Sequence, residues 1–143
     1  MKVSARNAFK GQIQAIHPGA VNSEVEIVTA GGDTLIAIVT ASSIKTLGLA
    51  MGSEVTALVK APWVIVSTDE AGFTFSARNQ LRGTVSEVIK GSVNTEVGIA
   101  LAGGTVVYAV VTNESSSELG LTVGKPASAI IKASHVILAV SKV

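Results

Sequence analysis

Apolar and polar residues alternate along residues 7–16, with Phe9, Gly11, Ile13 and Ala15 on one side, the period-2 mark of a half-buried strand. His17-Pro18-Gly19-Ala20 breaks the alternation as a turn, because proline fixes φ and glycine tolerates positive φ. A second strand is predicted over 21–29, with Val21, Val25 and Ile27 in register, followed by the hairpin turn Ala30-Gly31-Gly32-Asp33. Residues 34–40 are apolar almost throughout, as in a strand covered on both faces. Residues 41–47 predict a short helix. Thr40 is its N-cap and Ser43 its third residue; Gly48 takes the left-handed position after it, and Leu49 packs back on Ile44 in a Schellman ending. Strands over 54–60 and 63–67 follow, then a polar linker at 68–72.

The pattern then starts again. Strands are predicted near 80–89, 93–101, 105–112, 126–132 and 135–140, with a helix near 113–119. Ser4-Ala5-Arg6-Asn7 recurs as Ser76-Ala77-Arg78-Asn79, and the same offset of 72 aligns about 27 of 71 pairs as identities without a gap. The chain is a tandem duplication, with halves 1–71 and 72–143. Five strands with a helix between the third and fourth is the OB-fold order, a small, partly open barrel. The expected fold is therefore all-β: two tandem five-strand barrels, each with one short helix.

Among the repeated residues, Arg6, Lys60, Arg78 and Lys132 are cations, and Ser4, Thr40, Ser43, Ser76, Thr112 and Ser115 carry hydroxyls. The backbone N–H groups opening each helix add further donors. A donor-only set suits an oxyanion that carries no proton. Arginine gives a rigid fork and lysine a point charge, and together they balance two negative charges. Molybdate and tungstate are tetrahedral dianions of this kind. An empty site of this composition is expected to hold two like charges close together. For Thr40 and Ser43 the set reads equally well as a helix cap.

The S-A-R-N opening, the G-x-V-N-x-E-V segments (19–25 and 91–97), the V-T-x-x-S steps and the K-A tails, each present twice and in the same order, resemble the Mop family of small molybdate-binding domains. The whole chain is similar to the tandem (dimop) form of the cytoplasmic molybdate-storage type. The resemblance implies the OB-type barrel, a homotrimer, and oxyanion sites where subunits meet. Ser4, Ala5 and Arg6 of one chain would face Thr40, Ser43, Lys60 and Ala61 of another. The second repeat would use Ser76, Ala77, Arg78, Thr112, Ser115, Lys132, Ala133 and Ser134. Pro62 stands where the second repeat has Ser134, so the two sites are expected to differ. Further anion sites on a three-fold axis are implied near Gly19, Ala20, Val21 and Asn22, and near Gly91, Ser92, Val93 and Asn94. As local sequence, these segments also read as turns entering strands.

Composition narrows the alternatives. Net charge is +1 and aromatics are 3%, against the basic groove and stacking platforms of a nucleic-acid binder. There is no cysteine, so disulfide and thiol chemistry are excluded. Hydrophobic residues are 48% and mean hydropathy is +0.53, yet no apolar run reaches the roughly 18 residues of a membrane helix. Surplus apolar surface on small halves points to subunit interfaces. Met1-Lys2-Val3-Ser4 lacks an apolar export signal, so the cytoplasm is expected, with no membrane partner. His17 and His135 have no patterned nucleophile nearby, Asp69-Glu70 reads as solvated linker, and Glu24 and Glu96 supply one carboxylate per half, too few for an acid/base pair. Gly31-Gly32 is not followed by the lysine of a phosphate loop. The expectation is a binder and not an enzyme, with no cofactor and no directly ligated metal. It either stores molybdate or senses it through a transporter or transcription-factor partner.

Overall fold

The computed structural model describes residues 1–68 and 72–142. Residues 69–71, the middle of the expected linker with Asp69 and Glu70, lie outside the described residues. The first half runs β1 (Asn7–His17), β2 (Asn22–Thr29), β3 (Thr34–Thr40), α1 (Ala41–Leu47), β4 (Glu54–Val59) and β5 (Ile65–Ser67). The second runs β6 (Asn79–Lys90), β7 (Asn94–Leu101), β8 (Val106–Thr112), α2 (Asn113–Leu119), β9 (Pro126–Ile131) and β10 (Ile137–Ala139).

The long first strand of each half serves two neighbours. β1 pairs with β4 along 7–12 and with β2 along 11–17, and its register against β2 slips between Ile13 and Ala15. Such a bulge bends a strand and increases its twist, which lets one sheet curl towards a barrel. β6 repeats the device between Val85 and Glu87. Both helices end as their sequences require. Thr40 Oγ1 accepts from the Ser43 N–H at 3.0 Å, Gly48 is left-handed at φ 63°, and the Leu49 N–H donates to Ile44 O at 3.0 Å. Thr112, Ser115 and Gly120 repeat this on α2.

Each half gives its last strand to the other. The sheets have the orders β10-β4-β1-β2-β3 and β5-β9-β6-β7-β8. Ile137, Leu138 and Ala139 pair with Leu58, Ala57 and Thr56, while Ile65, Val66 and Ser67 pair with Ile130, Ala129 and Ser128. The 3-10 turns Ala61–Trp63 and Ala133–His135 carry the chain across. They occupy the start of the strands expected at 63–67 and 135–140, which are therefore only three residues long. Trp63 and His135 are equivalent under the repeat, and their rings meet with centroids 5.1 Å apart.

The exchange joins the halves into one continuous core, which includes Phe9, Ile27 and Leu35 from the first half and Val85, Ile99 and Ile131 from the second. The Gly-Gly turns meet as well: a Cβ on Gly103 would run into the Gly31 carbonyl oxygen. The strand expected to be covered on both faces, β3, is fully buried only at Leu35, Ile36 and Ala37; its later residues emerge towards the helix.

Candidate anion-binding site

The repeated polar residues fall into two groups within one chain. The first surrounds the crossover. Ser76, Ala77 and Arg78, which lead into β6, line a concave pocket of 410 Å³ together with Lys132, Ala133 and Ser134 at the turn after β9. Its apolar wall is Ile65 and Ile130, paired in register, with Phe75 and with Ile38 from the first half. None of the lining residues is acidic, so the polar side chains at its surface are two cations and two hydroxyls. The pocket sits here because Asn79, the next residue after Arg78, turns inward to the other half and fixes the S-A-R segment beside the crossing turn. In the first half Ser4, Arg6 and Lys60 are exposed, Ala61 is buried, and Pro62 replaces the serine.

The V-T-x-x-S residues form the second group, next to the G-x-V-N turns. Asn22 pairs with Thr40 and Asn94 with Thr112. The Ala41 N–H donates to Val21 O at 2.8 Å, and the Asn113 N–H to Val93 O at 3.0 Å. Asn113 also donates to Gly91 O at 3.0 Å, so the second G-x-V-N turn is tied to its helix. Gly19, Ala20, Val21 and Asn22 are exposed, as are Gly91, Ser92, Val93 and Asn94. Within each cap the threonine hydroxyl donates to the serine Oγ, at 2.8 Å in Thr40–Ser43 and 2.9 Å in Thr112–Ser115. Each serine hydroxyl hydrogen is then free to point elsewhere. The caps are structural and still leave a donor. Thr112 and Ser115 do not line the pocket of Arg78 and Lys132, whereas Lys132 and Ala133 share it with Ser76, Ala77 and Arg78 of the same chain, which corrects the expectation that the K-A residues face the S-A-R segment from another chain.

The arginines are not bare cations, which corrects the expectation of an uncompensated pair of like charges. Arg6 Nε lies 2.6 Å from Glu96 Oε1, and Arg78 Nη1 lies 2.7 Å from Glu24 Oε2. Each pair crosses between the halves. Arg6 also stacks on Tyr108, 3.5 Å from the ring centroid; the equivalent position facing the second-repeat segment is Ile36 of the first half, which is not aromatic. The Glu96 hydrogen bond raises the Arg6 pKa above the ordinary arginine value, against a desolvation that lowers it. Lys60 and Lys132 are exposed and form no ion pair among the described residues. The glutamates are the residues that sequence reasoning undervalued. Their signal was present, since Glu24 and Glu96 repeat at the same offset as the arginines.

Among the described residues no group of three or more His, Cys, Asp or Glu is placed to hold a metal ion, and no helix is long and apolar enough to cross a membrane.

Comparison with known proteins agrees with the duplication. The TOBE domain family matches residues 3–66 and 76–138. A crystal structure of the cytoplasmic molybdate-binding protein ModG, with molybdate bound, superposes with a TM-score of 0.95 at 55% identity, over 99% of this chain and 100% of that one. The molybdenum transport protein ModE of Herbaspirillum seropedicae is 43% identical over 99% of this chain and 53% of its own length. The molybdenum-pterin-binding protein MopA of Rhodobacter capsulatus is 42% identical over 97% and 52%. The chain thus spans about half the length of the curated relatives it matches. With both halves matched and a near-complete superposition, the chain belongs to the TOBE domain family, in its tandem Mop form.

Proposed function

We propose that this protein is a non-catalytic oxyanion binder that holds molybdate, and tungstate as its near-isostere, as a cytoplasmic molybdenum store. The observation that carries the reading is the pocket at the crossover, where Arg78 and Lys132 bring two cations, Ser76 and Ser134 bring hydroxyls able to donate, and no carboxylate lines the wall. Similarity to a molybdate-bound ModG over the full chain supports the same ligand.

Two domains, 1–71 and 72–143, carry equivalent sites. Ser76, Ala77, Arg78, Lys132, Ala133 and Ser134 serve the second, and Ser4, Ala5, Arg6, Lys60 and Ala61 the first. Thr40 with Ser43, and Thr112 with Ser115, come from a neighbouring copy. That assignment is supported by the pocket lining, which includes neither threonine–serine pair; a second copy would complete the donor set. Ile65 and Phe73, 62% and 74% exposed, supply apolar surface for the assembly, a homotrimer. Around its axis the turns 19–22 and 91–94 provide the additional anion sites.

Isothermal titration of the full chain with molybdate tests the ligand, and light scattering tests the assembly. The expected results are saturable binding and a mass three times the 14.5 kDa of one chain. Absence of molybdenum from protein purified out of molybdate-fed cells, with no heat on titration, would sink the reading. A second reading is favoured by the half-length matches to ModE proteins: the same fold acting as a molybdate-sensing module through a transporter or transcription-factor partner. Capture of such a partner only in the presence of molybdate distinguishes it from storage.

A further inference from the structure

The two arginine–glutamate pairs are copies of one another. Residues 6 and 78 are related by the repeat, as are 96 and 24, and each arginine reaches the glutamate of the opposite half. Side-chain exposure is also matched, at 50% and 28% for Arg6 and Glu96 and 54% and 25% for Arg78 and Glu24. Ion pairs this open contribute little to stability. Their electrostatic effect on the neighbouring pocket is larger, because a charge-assisted acceptor already occupies part of the guanidinium fork.

Consider the second-repeat pocket. Arg78 and Lys132 line it, a local charge of two. Glu24 adjoins it through its bond to Arg78 and through Ile38, its in-register partner on β3, which itself lines the pocket. The glutamate cancels one of the two charges. An arriving dianion meets one uncompensated cation, and its oxygens compete with a carboxylate for the same N–H groups.

We infer that Glu24 and Glu96 are resident counter-anions: each occupies the arginine of the other half's empty site and weakens oxyanion binding there. The inference rests on the oxyanion reading above and adds a specificity residue to it. Affinity at one repeat is set from the other.

The test is isothermal titration of the full chain with sodium molybdate at low salt, for the wild type, Glu24→Gln, Glu96→Gln and the double variant. Glu26→Gln is the control, since Glu26 lies two residues along β2 and pairs with His17 at 3.0 Å, not with an arginine. Each Gln variant is expected to tighten one class of sites by roughly three- to fivefold, the range of an exposed charge interaction. The double variant tightens both classes, and added salt narrows the gap. Glu24→Ala, which removes the competing oxygen as well as the charge, tightens at least as much. Glu26→Gln changes nothing. A merely structural glutamate would not produce a gain of affinity on removal. Unchanged or weaker binding by both Glu24→Gln and Glu24→Ala, with wild-type binding intact, overturns the inference and leaves the oxyanion reading standing. A wild type that does not bind molybdate overturns that reading and this inference with it.

Discussion

Asn7 makes both of its side-chain hydrogen bonds to the backbone of a single residue, Tyr108, in the opposite half. Its Nδ2 donates to Tyr108 O at 2.8 Å, and its Oδ1 accepts from the Tyr108 N–H at 2.7 Å. Asn79 does the same for Ile36, at 2.8 and 2.7 Å. The amide thereby imitates one residue of a neighbouring strand, and the S-A-R-N segment docks against β3 or β8 without forming a strand there.

Removal of either asparagine therefore leaves a peptide N–H and C=O without partners. Unsatisfied buried polar groups cost about 1–3 kcal/mol. Asn7→Ala and Asn79→Ala are each expected to lower unfolding free energy by about that amount in urea titration. Asn79→Ala should be the more damaging, because Ile36 is buried and Tyr108 is only half-buried. A cost below about 0.5 kcal/mol for both would show that water replaces the amide.

The strand exchange makes a second prediction. Leu138 is 8% exposed and Val66 8%, and each packs into the sheet of the half that does not encode its neighbours in sequence. Leu138→Ala should cost about 2–4 kcal/mol, a core-sized loss only five residues from the last residue of the chain. The unfolding transition should stay single, because both halves share the core. Two separate transitions, with only one moved by the substitution, would contradict the exchange.

The individual elements were legible in the sequence because their causes are local. Thr40, Gly48 and Leu49 specify a helix of seven residues by capping alone, and the alternation around Phe9 and Ile13 specifies which side of β1 faces in. The exchange was not legible. Residues 65–67 and 137–139 show the same alternation whichever sheet accepts them, and the Lys-Ala that opens each crossing turn, followed by Pro62 in one half and Ser134 in the other, does not by itself mark a crossing. The repeated polar set was visible, but its grouping was not. Only the fold puts Arg78 beside Lys132 and Thr112 beside Asn94. The counter-charge to each arginine lies 90 or 54 residues away, beyond any spacing argument.

The repeated Gly-Gly turns close the β2–β3 and β7–β8 hairpins, and a second constraint acts on them where the halves meet. Gly103 has its backbone against the Gly31 carbonyl. Gly103→Ala forces backbone against backbone, an overpacking that costs about 1–3 kcal/mol. Gly104→Ala acts differently: it has open space but a φ of +93°, so its cost is the conformational one, about 1 kcal/mol. Thermal denaturation of the two variants checks the contrast. Equal melting temperatures for Gly103→Ala and wild type would remove the contact from the account.

The last prediction separates the lysines from the arginines. Lys60 and Lys132 are exposed and enter no ion pair among the described residues. Removing either from the empty protein should leave its melting temperature unchanged. With ligand present the expectation reverses. An anion that binds only the folded assembly stabilises it by about 2.7 kcal/mol per site at a hundredfold excess over Kd, so molybdate should raise the melting temperature of the wild type clearly. Lys132→Ala should lose the part of that rise contributed by the second-repeat sites, and Lys60→Ala the part from the first. Phosphate retains a proton for much of the time near neutral pH, and no carboxylate lines the pocket to receive it, so an equal concentration of phosphate should give a smaller rise. Scanning calorimetry of the three proteins, with no anion, molybdate or phosphate, reads all of these effects. A Lys132→Ala protein that melts lower when empty, or keeps the full molybdate rise, would place Lys132 in the scaffold instead of the site. An equal rise with phosphate would show that the pocket counts charge alone and does not discriminate by protonation.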